Sequence, residues 1–325
     1  MKDTAIIIPN YNGIDYLRKC LKSFAYQTYE DYTIFVIDNG STEPGFDELM
    51  SQYNTVKYVK RPDNGGFAVA VNDGIKLAES EGYKYCILLN NDTEVAGDFV
   101  EHLHNAMEAH PEAFSIQARM LSLQNKNLLD GTGDFYTVLG YAYARGRGAD
   151  SILFTTPGKI FTACAGAAIY RTEVFSKIGY FDELFWAYLE DVDIGYRARL
   201  HGYTNLYEPK AVVYHAGSGS FAEGERYSEF KVRQAARNSI LVIYKNQPKW
   251  QRVINFLPQT LGRAVKQRYF RKRGFESAYT EGVAQGRTEV AKMVATTFTK
   301  EMNKQARKIE IDLIISTFKM LKHYK

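Results

Sequence analysis

Cysteine is scarce in this sequence, which has three residues of this type in 325: Cys20, Cys86 and Cys164. They lie far apart in apolar contexts, which is typical of reduced core thiols and excludes a disulfide framework or a zinc site. No run approaches the roughly 18 apolar residues that a membrane span requires. The apolar run at residues 5–8 is also too short for the hydrophobic region of a signal peptide. We therefore expect a cytosolic chain.

Two phosphate-binding signatures are also missing. The first predicted strand, at residues 5–8, is followed by Pro9-Asn10-Tyr11-Asn12-Gly13 and not by the Gly-x-Gly-x-x-Gly turn of a dinucleotide oxidoreductase. The sequence contains no Gly-x-x-x-x-Gly-Lys-Ser/Thr loop, which excludes ordinary P-loop phosphoryl transfer. A nucleotide site in this chain must therefore be built in another way.

The net charge is small but unevenly distributed. The whole chain carries +4. Residues 245–325 contain 18 lysines and arginines against 6 aspartates and glutamates, a balance of +12, so residues 1–244 carry −8. A basic C-terminal region on an acidic body favours an anionic surface as its partner, either a membrane or a nucleic acid.

Strand-like and helix-like stretches alternate over the first 90 residues. Short apolar runs predict buried strands, and apolar residues at helical spacing predict helices between them. This alternation favours a parallel sheet with helices on both faces, the α/β class. The predicted strands are at 5–8, 33–37, 56–59 and 85–89, and the predicted helices are at 15–26, 46–53 and 65–81.

Polar residues follow these strands where ligands bind in open α/β sheets, beyond the carboxyl ends. Asp38 is placed to hydrogen-bond a base or ribose, and Asp92 offers oxygens to a hard divalent cation shared with a diphosphate. Near Asn64, Gly65 and Gly66 permit close backbone approach, and the helix they open offers free N–H groups to a phosphate. Each motif alone is also an ordinary turn, so the interpretation depends on the three occurring together.

The middle of the chain has a weaker pattern. A helix is predicted at 98–110, and residues 114–161 are predicted to form loops and short strands that frame an acceptor-side cleft. Gly166 lies in the apolar stretch 161–170, where a substrate or another backbone segment can approach closely.

A second acidic motif, Glu190-Asp191-Val192-Asp193, opens a predicted helix at 190–200. Acidic residues in a first turn stabilise the helix dipole, and this structural role suits Asp193. Asp191 follows a run of aromatic residues, which can desolvate a carboxylate and raise its pKa toward that of a general base. His215 ends a predicted strand at 212–215, before a Gly/Ser loop at 216–220. A lone histidine is as often a surface or core residue as a metal ligand.

Together these motifs resemble the family 2 glycosyltransferases of the GT-A fold over residues 4–245. The resemblance rests on Ile-Ile-Pro-Asn-Tyr-Asn, Val-Ile-Asp-Asn-Gly-Ser, Asn-Gly-Gly-Phe-Ala-Val-Ala-Val-Asn-Asp-Gly, Leu-Leu-Asn-Asn-Asp and Gly-Tyr-Phe-Asp-Glu followed by Leu-Glu-Asp-Val-Asp-Ile-Gly-Tyr-Arg. Within the family the chain is most similar to the bacterial rhamnosyltransferase and galactofuranosyltransferase branch.

The resemblance implies a site for a nucleotide sugar. It implies Asp92 and His215 as ligands of Mg²⁺ or Mn²⁺, and Asp191, with Glu190 beside it, as the catalytic residues of an inverting transfer. The family often has Asp-x-Asp at the metal strand, and Asn90 stands at the first of these positions, so strict metal dependence is put in doubt. The nucleotide-sugar-binding residues implied are Pro9, Tyr11, Asn12, Asp38, Asn64, Gly66, Asn72, Asn91 and Gly166.

We expect a GT-A domain at 1–245, with a nucleotide-sugar half at 1–97 and an acceptor half at 98–245, and a basic helical region at 246–325. The densest basic cluster of that region is at 266–273. The region is either a solvated appendage or homodimer interface, or it contacts an anionic membrane surface near a lipid-linked acceptor. Nucleic acid is disfavoured because no recognition motif accompanies the charge.

The expected function is transfer from a nucleotide-diphosphate donor, dTDP-rhamnose or else a UDP-sugar, to a hydroxyl group of a bacterial cell-surface glycan or lipid-linked saccharide. The enzyme would be cytoplasmic or peripheral on the inner face of the membrane. A non-catalytic sugar-nucleotide-binding assembly protein remains an alternative. A sugar nucleotidyltransferase is disfavoured because its Gly-rich, Arg-containing loop is missing after the first strand.

Overall fold

The computed structural model describes residues 3–217, 227–294 and 296–323. The last part of the predicted Gly/Ser loop after His215 lies outside these residues. The strands are β1 (Thr4–Asn10), β2 (Tyr32–Asp38), β3 (Lys57–Lys60), β4 (Tyr85–Leu89), β5 (Thr93–Val95), β6 (Ala113–Ser122), β7 (Leu129–Gly131), β8 (Asp134–Tyr136), β9 (Ala142–Ala144), β10 (Gly158–Ile160), β11 (Ala167–Arg171) and β12 (Thr204–His215).

The helices alternate with strands in the first part of the chain and dominate the last part. They are α1 (Ile14–Ser23), α2 (Phe46–Ser51), α3 (Phe67–Ser80), α4 (Phe99–Ala109), α5 (Thr172–Ile178), α6 (Glu190–Leu200), α7 (Glu229–Asn246), α8 (Lys249–Ile254), α9 (Phe256–Arg271), α10 (Glu276–Glu289) and α11 (Lys300–His323). Among the described residues, no helix is both long and apolar enough to span a membrane.

The main sheet has the strand order β10-β12-β6-β11-β4-β1-β2-β3. Strands β3, β2, β1 and β4 are parallel, as their alternation with helices predicts. Strand β11 is antiparallel to both β4 and β6, whereas β12 is parallel to β6. The α/β class is confirmed, and the sheet is mixed beyond the nucleotide half.

Burial on both faces explains the apolar runs of the central strands. Successive side chains of a strand point to opposite faces. In β1, Ile6 and Ile8 pack in one core with α1, α2 and α4, while Ala5 and Ile7 pack in a second core with α3, α5 and α6. The carboxyl ends of β1, β2 and β4 therefore meet at one edge, which carries the predicted site.

Two long strands depart from the prediction for the middle region. Residues 114–161 were predicted to form loops and short strands, but Ala113–Ser122 is one long strand, β6, which contains the polar residues Ser115 and Gln117. Both are buried and satisfied: Ser115 donates to Asn205 Oδ1 at 2.8 Å, and Gln117 donates to the Ala167 carbonyl at 3.1 Å. Strand β12 begins eight residues before the predicted 212–215 and continues past Pro209 through an irregularity between Glu208 and Val212.

A third core joins the basic C-terminal region to the catalytic half. Val192, Tyr196 and Leu200 of α6 pack against α7 and α11. The side chains from α11 are Met302, Ala306, Ile309 and Leu313, all buried. The helices at 246–325 therefore share a hydrophobic core with the helix that carries Asp191.

Candidate active site

Asn10 connects the three central strands at their carboxyl ends. Its Nδ2 donates to Asp38 Oδ1 at 3.1 Å, and its Oδ1 accepts from Asn91 Nδ2 at 2.8 Å. Asp38 also accepts from Ser41 Oγ at 2.5 Å. The buried Asp38 carboxylate is thus fixed in place at the edge predicted for the nucleotide. Asn10 was not predicted as a site residue, because in sequence it reads only as part of a turn.

The neighbouring predicted residues form the rim of this edge. Pro9 is paired with Ile37 in the sheet, and Tyr11 is 39% exposed just beyond β1. Asn12 adopts a left-handed conformation (φ 47°), and its Oδ1 accepts from the backbone N–H groups of residues 42 and 43 at 2.8 and 3.1 Å. These bonds order the loop that follows Asp38.

The loop before α3 is held by side-chain amides. Asn39 Nδ2 donates to Asn64 Oδ1 at 2.9 Å, and Asn64 Oδ1 also accepts from the Gly66 N–H at 2.9 Å. Gly65 N–H donates to Asn39 Oδ1 at 3.2 Å, and Ala68 N–H donates to the Trp186 carbonyl at 3.3 Å. The prediction that these N–H groups are free for a phosphate is therefore wrong for residues 65, 66 and 68, because protein acceptors already bind them.

Asn72, predicted to bind the nucleotide sugar, uses its side-chain amide for hydrogen bonds within the protein. Its Nδ2 donates to the Phe181 carbonyl at 2.8 Å and to Glu183 Oε1 at 3.2 Å, and its Oδ1 accepts from the Phe181 N–H at 3.0 Å. Asn72 is 2% exposed. It connects α3 to the loop that leads into the Glu190–Asp191 motif.

Asp92 and His215, the two metal ligands that the resemblance implies and that we call the metal pair, lie side by side. His215 Nε2 is 3.2 Å from Asp92 Oδ1, and His215 Nδ1 is 2.6 Å from Asp130 Oδ2. Burial lowers the pKa of His215, but the hydrogen bonds to Asp130 and Asp92 outweigh this and raise that pKa to about 10. Metal-free His215 thus favours the protonated form between two carboxylates, and a cation can bind at Nε2 only in exchange for the Nε2 proton.

A divalent cation fits this arrangement. A carboxylate oxygen and an imidazole nitrogen face one another, and Mn²⁺ and Mg²⁺ accept such ligands. Asp130 orients the imidazole through Nδ1, as carboxylates do for metal-bound histidines, and leaves Nε2 toward Asp92. Asn90 Nδ2 is directed toward Gly166, where an added Cβ would lie 3.1 Å from it. At Gly166, where a close approach was predicted, the group that approaches is Asn90.

A second cluster with ligand atoms within 4.8 Å of one another is Asp3, His104 and Glu108. It lies at the amino end of β1, away from Asp92. Its carboxylates already accept hydrogen bonds from the hydroxyl groups of Tyr29 and Tyr85.

Asp134, Glu190 and Asp191 form an acid cluster at the start of α6. Burial raises the pKa of all three, and the negative charge of Asp191 raises the pKa values of Asp134 and Glu190 further. For Asp191, burial outweighs the hydrogen bond from the Val192 N–H and raises its pKa to about 6. Asp191 is thus the acid of the cluster best suited to act as a base near neutral pH.

Asp193 has a structural role, as its position in the helix suggested. It is fully buried and accepts from Arg197 Nη2 at 2.8 Å, Lys245 Nζ at 3.1 Å and Asn246 Nδ2 at 2.8 Å. Burial would raise its pKa, but Arg197 and Lys245 outweigh this and lower it.

A strained elbow, residues 186–189, precedes the acid cluster. Trp186, Tyr188 and Leu189 have φ values of 60°, 71° and 66°, and such conformations cost about 1–3 kcal/mol each for residues other than glycine. Asn238 of α7, fully buried, donates to the carbonyls of Phe185, Ala187 and Tyr188 at 2.9, 2.9 and 2.7 Å. The elbow is therefore maintained by a residue from outside it.

The short segment from Asp130 to Asp134 brings the metal pair and the acid cluster together. Asp130 contacts His215, and Asp134 N–H donates to the Thr162 carbonyl at 2.9 Å. Thr162 Oγ1 in turn donates to the Asp191 carbonyl at 2.6 Å. Four residues extend at most about 14 Å, so the segment keeps Asp130, which contacts His215, close to Asp134 of the acid cluster. Asp130 and Asp134 were not predicted, since their region has a weak sequence pattern; the two aspartates in short succession after β6 are the only signal.

Comparison with known proteins gives a family match for residues 5–179, with the model described as "Glycosyl transferase family 2". Glycosyltransferase GlyG of Streptococcus pneumoniae is 31% identical over 107 residues, 32% of this chain and 35% of the relative. An N-acetylglucosaminyl-diphospho-decaprenol L-rhamnosyltransferase of Mycobacterium tuberculosis is 24% identical over 231 residues, 65% of this chain and 75% of the relative. The match thus spans about a third of GlyG and three quarters of the rhamnosyltransferase.

Two solved structures share the fold. The mannosyltransferase PcManGT from Pyrobaculum calidifontis, in complex with GDP-Man and Mn²⁺, superposes with a TM-score of 0.56 at 13% identity, over 99% of this chain and 88% of the other. GalNAc-T7 with UDP, GalNAc and Mn²⁺ superposes with a TM-score of 0.58 at 18% identity, over 74% of this chain and 47% of the other. The mixed sheet with flanking helices is thus of the GT-A type.

Proposed function

The chain belongs to glycosyl transferase family 2, and we propose that it moves a sugar from a nucleotide-diphosphate donor to a hydroxyl group of a bacterial surface glycan or lipid-linked saccharide. The observation that supports this proposal is the 130–134 segment, which links His215, a proposed cation ligand beside Asp92, to the cluster that contains Asp191, a carboxylate of raised pKa. A glycosyl transfer needs both functions, one at the leaving diphosphate and one at the incoming hydroxyl group.

In the proposed reaction Asp191 accepts the proton of the acceptor hydroxyl group. The acceptor oxygen forms a bond to the anomeric carbon while the bond from that carbon to the diphosphate oxygen breaks, so the configuration inverts. Glu190 lies beside Asp191, and its buried Oε2 has no hydrogen-bond partner among the residues that the structure describes. The raised pKa of Glu190 favours its protonated form, which can donate a hydrogen bond to a sugar hydroxyl group.

Asp92 and His215 are the proposed ligands of Mg²⁺ or Mn²⁺. The cation would offset the charge that develops on the departing diphosphate. Asp130 holds the His215 ring in the orientation that directs Nε2 toward Asp92. The two solved structures described above, which share the fold, contain Mn²⁺, which supports the proposal of a divalent cation in this chain.

For the donor we propose dTDP-rhamnose first and a UDP-sugar second. Support for rhamnose is the resemblance to the mycobacterial rhamnosyltransferase. Asp38 is proposed to bind the base or ribose, with Pro9, Tyr11, Asn12 and Asn64 around it. Asn91 lies at the same edge of the sheet, where its Nδ2 donates to Asn10 Oδ1.

The proposal is tested by nucleotide release from a panel of UDP-, GDP- and dTDP-sugars with Mg²⁺ or Mn²⁺, followed by addition of EDTA. We expect slow release from one donor, abolished by EDTA and accelerated by the correct saccharide acceptor. Tight binding of one donor without release in the presence of any acceptor would instead indicate a non-catalytic binding protein.

A further inference from the structure

The surface of α8 and α9 has the reverse of the pattern expected for a helix on a soluble protein. On α9 the buried side includes Gln259 and Gly262, while apolar residues face outward. Six apolar side chains of the two helices are 54–75% exposed and form what we call the outer ridge: Val253, Ile254, Phe256, Leu257, Leu261 and Val265. Contiguous exposed apolar residues of this kind mark an interaction surface.

The charge within α8 and α9 has one sign, although Glu276 of α10 pairs with Arg271 at the end of α9. Residues 249–275 contain eight lysines and arginines and no aspartate or glutamate. Lys249, Arg268, Lys272 and Arg273 are exposed. A second copy of the chain docked ridge to ridge would bring like charges together, which is destabilising, whereas anionic headgroups attract such cations.

Two aromatic residues in and beside the basic cluster at 266–273 do not belong to the exposed apolar surface of the outer ridge. Phe270 and Phe275 pack with Tyr279 of α10 and Val232 of α7 in a separate small core. The basic cluster therefore supplies charge, and the apolar contact comes from the ridge on its N-terminal side.

The outer ridge is close to the acceptor side of the active site. The turn between β8 and β9 contacts α9, where Tyr141 donates to the Gly262 carbonyl and an added Cβ at Gly262 would lie 2.6 Å from the Leu139 carbonyl oxygen. Asp134 of the acid cluster starts the same hairpin. Leu139 is five positions after Asp134, so the Cα atoms of the two residues lie at most about 18 Å apart.

Helix α11 adds a second exposed apolar row at the same hairpin. Thr317 Oγ1 accepts from the Val138 N–H at 3.1 Å, which fixes α11 against the turn. Ile314 and Phe318, one helical turn apart, are 42% and 64% exposed. The hairpin is thus contacted by two helices that both present apolar side chains to solvent.

We propose that the outer ridge docks on a bilayer that contains anionic lipids. Apolar side chains of the ridge enter the boundary between headgroups and acyl chains, and the flanking cations bind the headgroups. This docking would hold the acid cluster near the membrane surface, where a lipid-linked saccharide presents its hydroxyl group. That role in acceptor delivery rests on the proposed function, whereas the docking itself does not.

Vesicle flotation of the full chain, without donor, tests the proposal separately from catalysis. The vesicles are phosphatidylcholine alone or an equal mixture with phosphatidylglycerol. We expect binding to the mixture that weakens with added NaCl, and a loss of about tenfold or more for Leu257→Ser/Leu261→Ser, since two apolar side chains leave the membrane boundary. Ile152→Ser/Leu153→Ser removes two exposed apolar residues elsewhere and should bind like wild type.

A charge variant completes the test. Arg268→Gln/Lys272→Gln should reduce binding about fivefold for each charge removed, while Lys22→Gln/Lys210→Gln, in the catalytic domain, should not reduce it. Failure of the wild-type chain to prefer anionic vesicles would overturn the proposal. It would also be overturned if Leu257→Ser/Leu261→Ser left vesicle binding intact, or if that variant instead converted a dimer to a monomer in size-exclusion chromatography.

Discussion

At the scale of single residues, Asp191 and Asp193 show how two acids of one helix turn acquire opposite properties. Both are enclosed by protein, but Asp193 has Arg197 and Lys245 as partners and a lowered pKa, whereas Asp191 has neither and a raised one. A carboxylate that is fully paired cannot easily take a proton. Among the described residues, neither Arg197 nor Lys245 lowers the pKa of Asp191. Asp191 is therefore the acid of the two that can serve as the base of the proposed reaction.

The pH dependence of turnover should report this environment. Because burial raises the pKa of Asp191 to about 6, its base form is present above that pH and is lost as pH falls through it. We expect kcat to fall about tenfold per unit below pH 6, measured with donor and acceptor saturating and with circular dichroism as a control for unfolding. An acid limb centred near pH 4, the range of an ordinary aspartate, would contradict the assignment.

Asp130→Asn tests the orientation of His215. Loss of the carboxylate at Nδ1 should weaken Mn²⁺ binding by about 10–100-fold, as measured by electron paramagnetic resonance titration in the presence of the nucleoside diphosphate. Asp150→Asn, at an exposed position nearby in sequence, is the control. Equal Mn²⁺ affinity in Asp130→Asn and wild type would remove Asp130 from the cation site.

At the scale of elements, the elbow at 186–189 is the feature that positions the acid cluster. Its left-handed residues persist because Asn238 of α7 bonds three of its carbonyls, and Arg237 in turn donates to Asn238 Oδ1 at 2.7 Å. Helix α7 thus holds the elbow through one amide group, and it contacts the first turn of α6 through Lys245 and Asn246, which donate to Asp193.

Asn238→Ala should therefore reduce both stability and turnover. The two N–H hydrogens that Asn238 shares among three carbonyls and the hydrogen bond that its Oδ1 accepts from Arg237 would be lost. At about 1 kcal/mol for each of these three bonds, the free energy of unfolding should decrease by about 3 kcal/mol, and kcat should fall while donor affinity changes little. Ser239→Ala, whose hydroxyl bonds only within its own helix at Ala236, is the matched control. Wild-type kcat in a folded Asn238→Ala chain would show that the elbow does not position Asp191.

The elements that were predicted from sequence are those with a local signal. The apolar runs of β1, β2 and β4 and the polar residues at their ends placed Asp38 and Asp92 correctly at one edge. Strand β6 was missed because its polar residues are satisfied by partners distant in sequence, such as Asn205. Asn238 could not be identified for the same reason: it lies within a helix, and its role depends on carbonyls some fifty residues earlier.

At the scale of the whole molecule, the basic C-terminal region is part of the catalytic half's core. Tyr196 of α6 donates to Gln251 at 3.1 Å, and Gln251 and Asn255 both donate to Glu310 of α11 at 2.7 and 2.8 Å. The composition of residues 246–325 indicated a separate basic region, but composition carries no information on which helices share a core.

Removal of residues 246–325 should therefore destabilise the catalytic half. Three large buried side chains of α11, Met302, Ile309 and Leu313, would be lost, at about 1.5–3 kcal/mol each, which is comparable to the 5–15 kcal/mol of a typical domain. We expect a large decrease in the unfolding temperature or insoluble protein, with Leu257→Ser/Leu261→Ser in the full chain as a stable control. A truncated chain with the wild-type unfolding temperature would show that the shared core contributes little.

The most direct test of the central claim is nucleotide release by Asp191→Asn, compared with wild type using the donor identified from the panel. The substitution keeps the shape of the side chain and removes the base. We expect kcat to fall about 10²–10⁴-fold while the Kd for the donor and Mn²⁺ stays within a factor of about three. Turnover near the wild-type rate would contradict the account, because the proton of the acceptor would then be taken by another group.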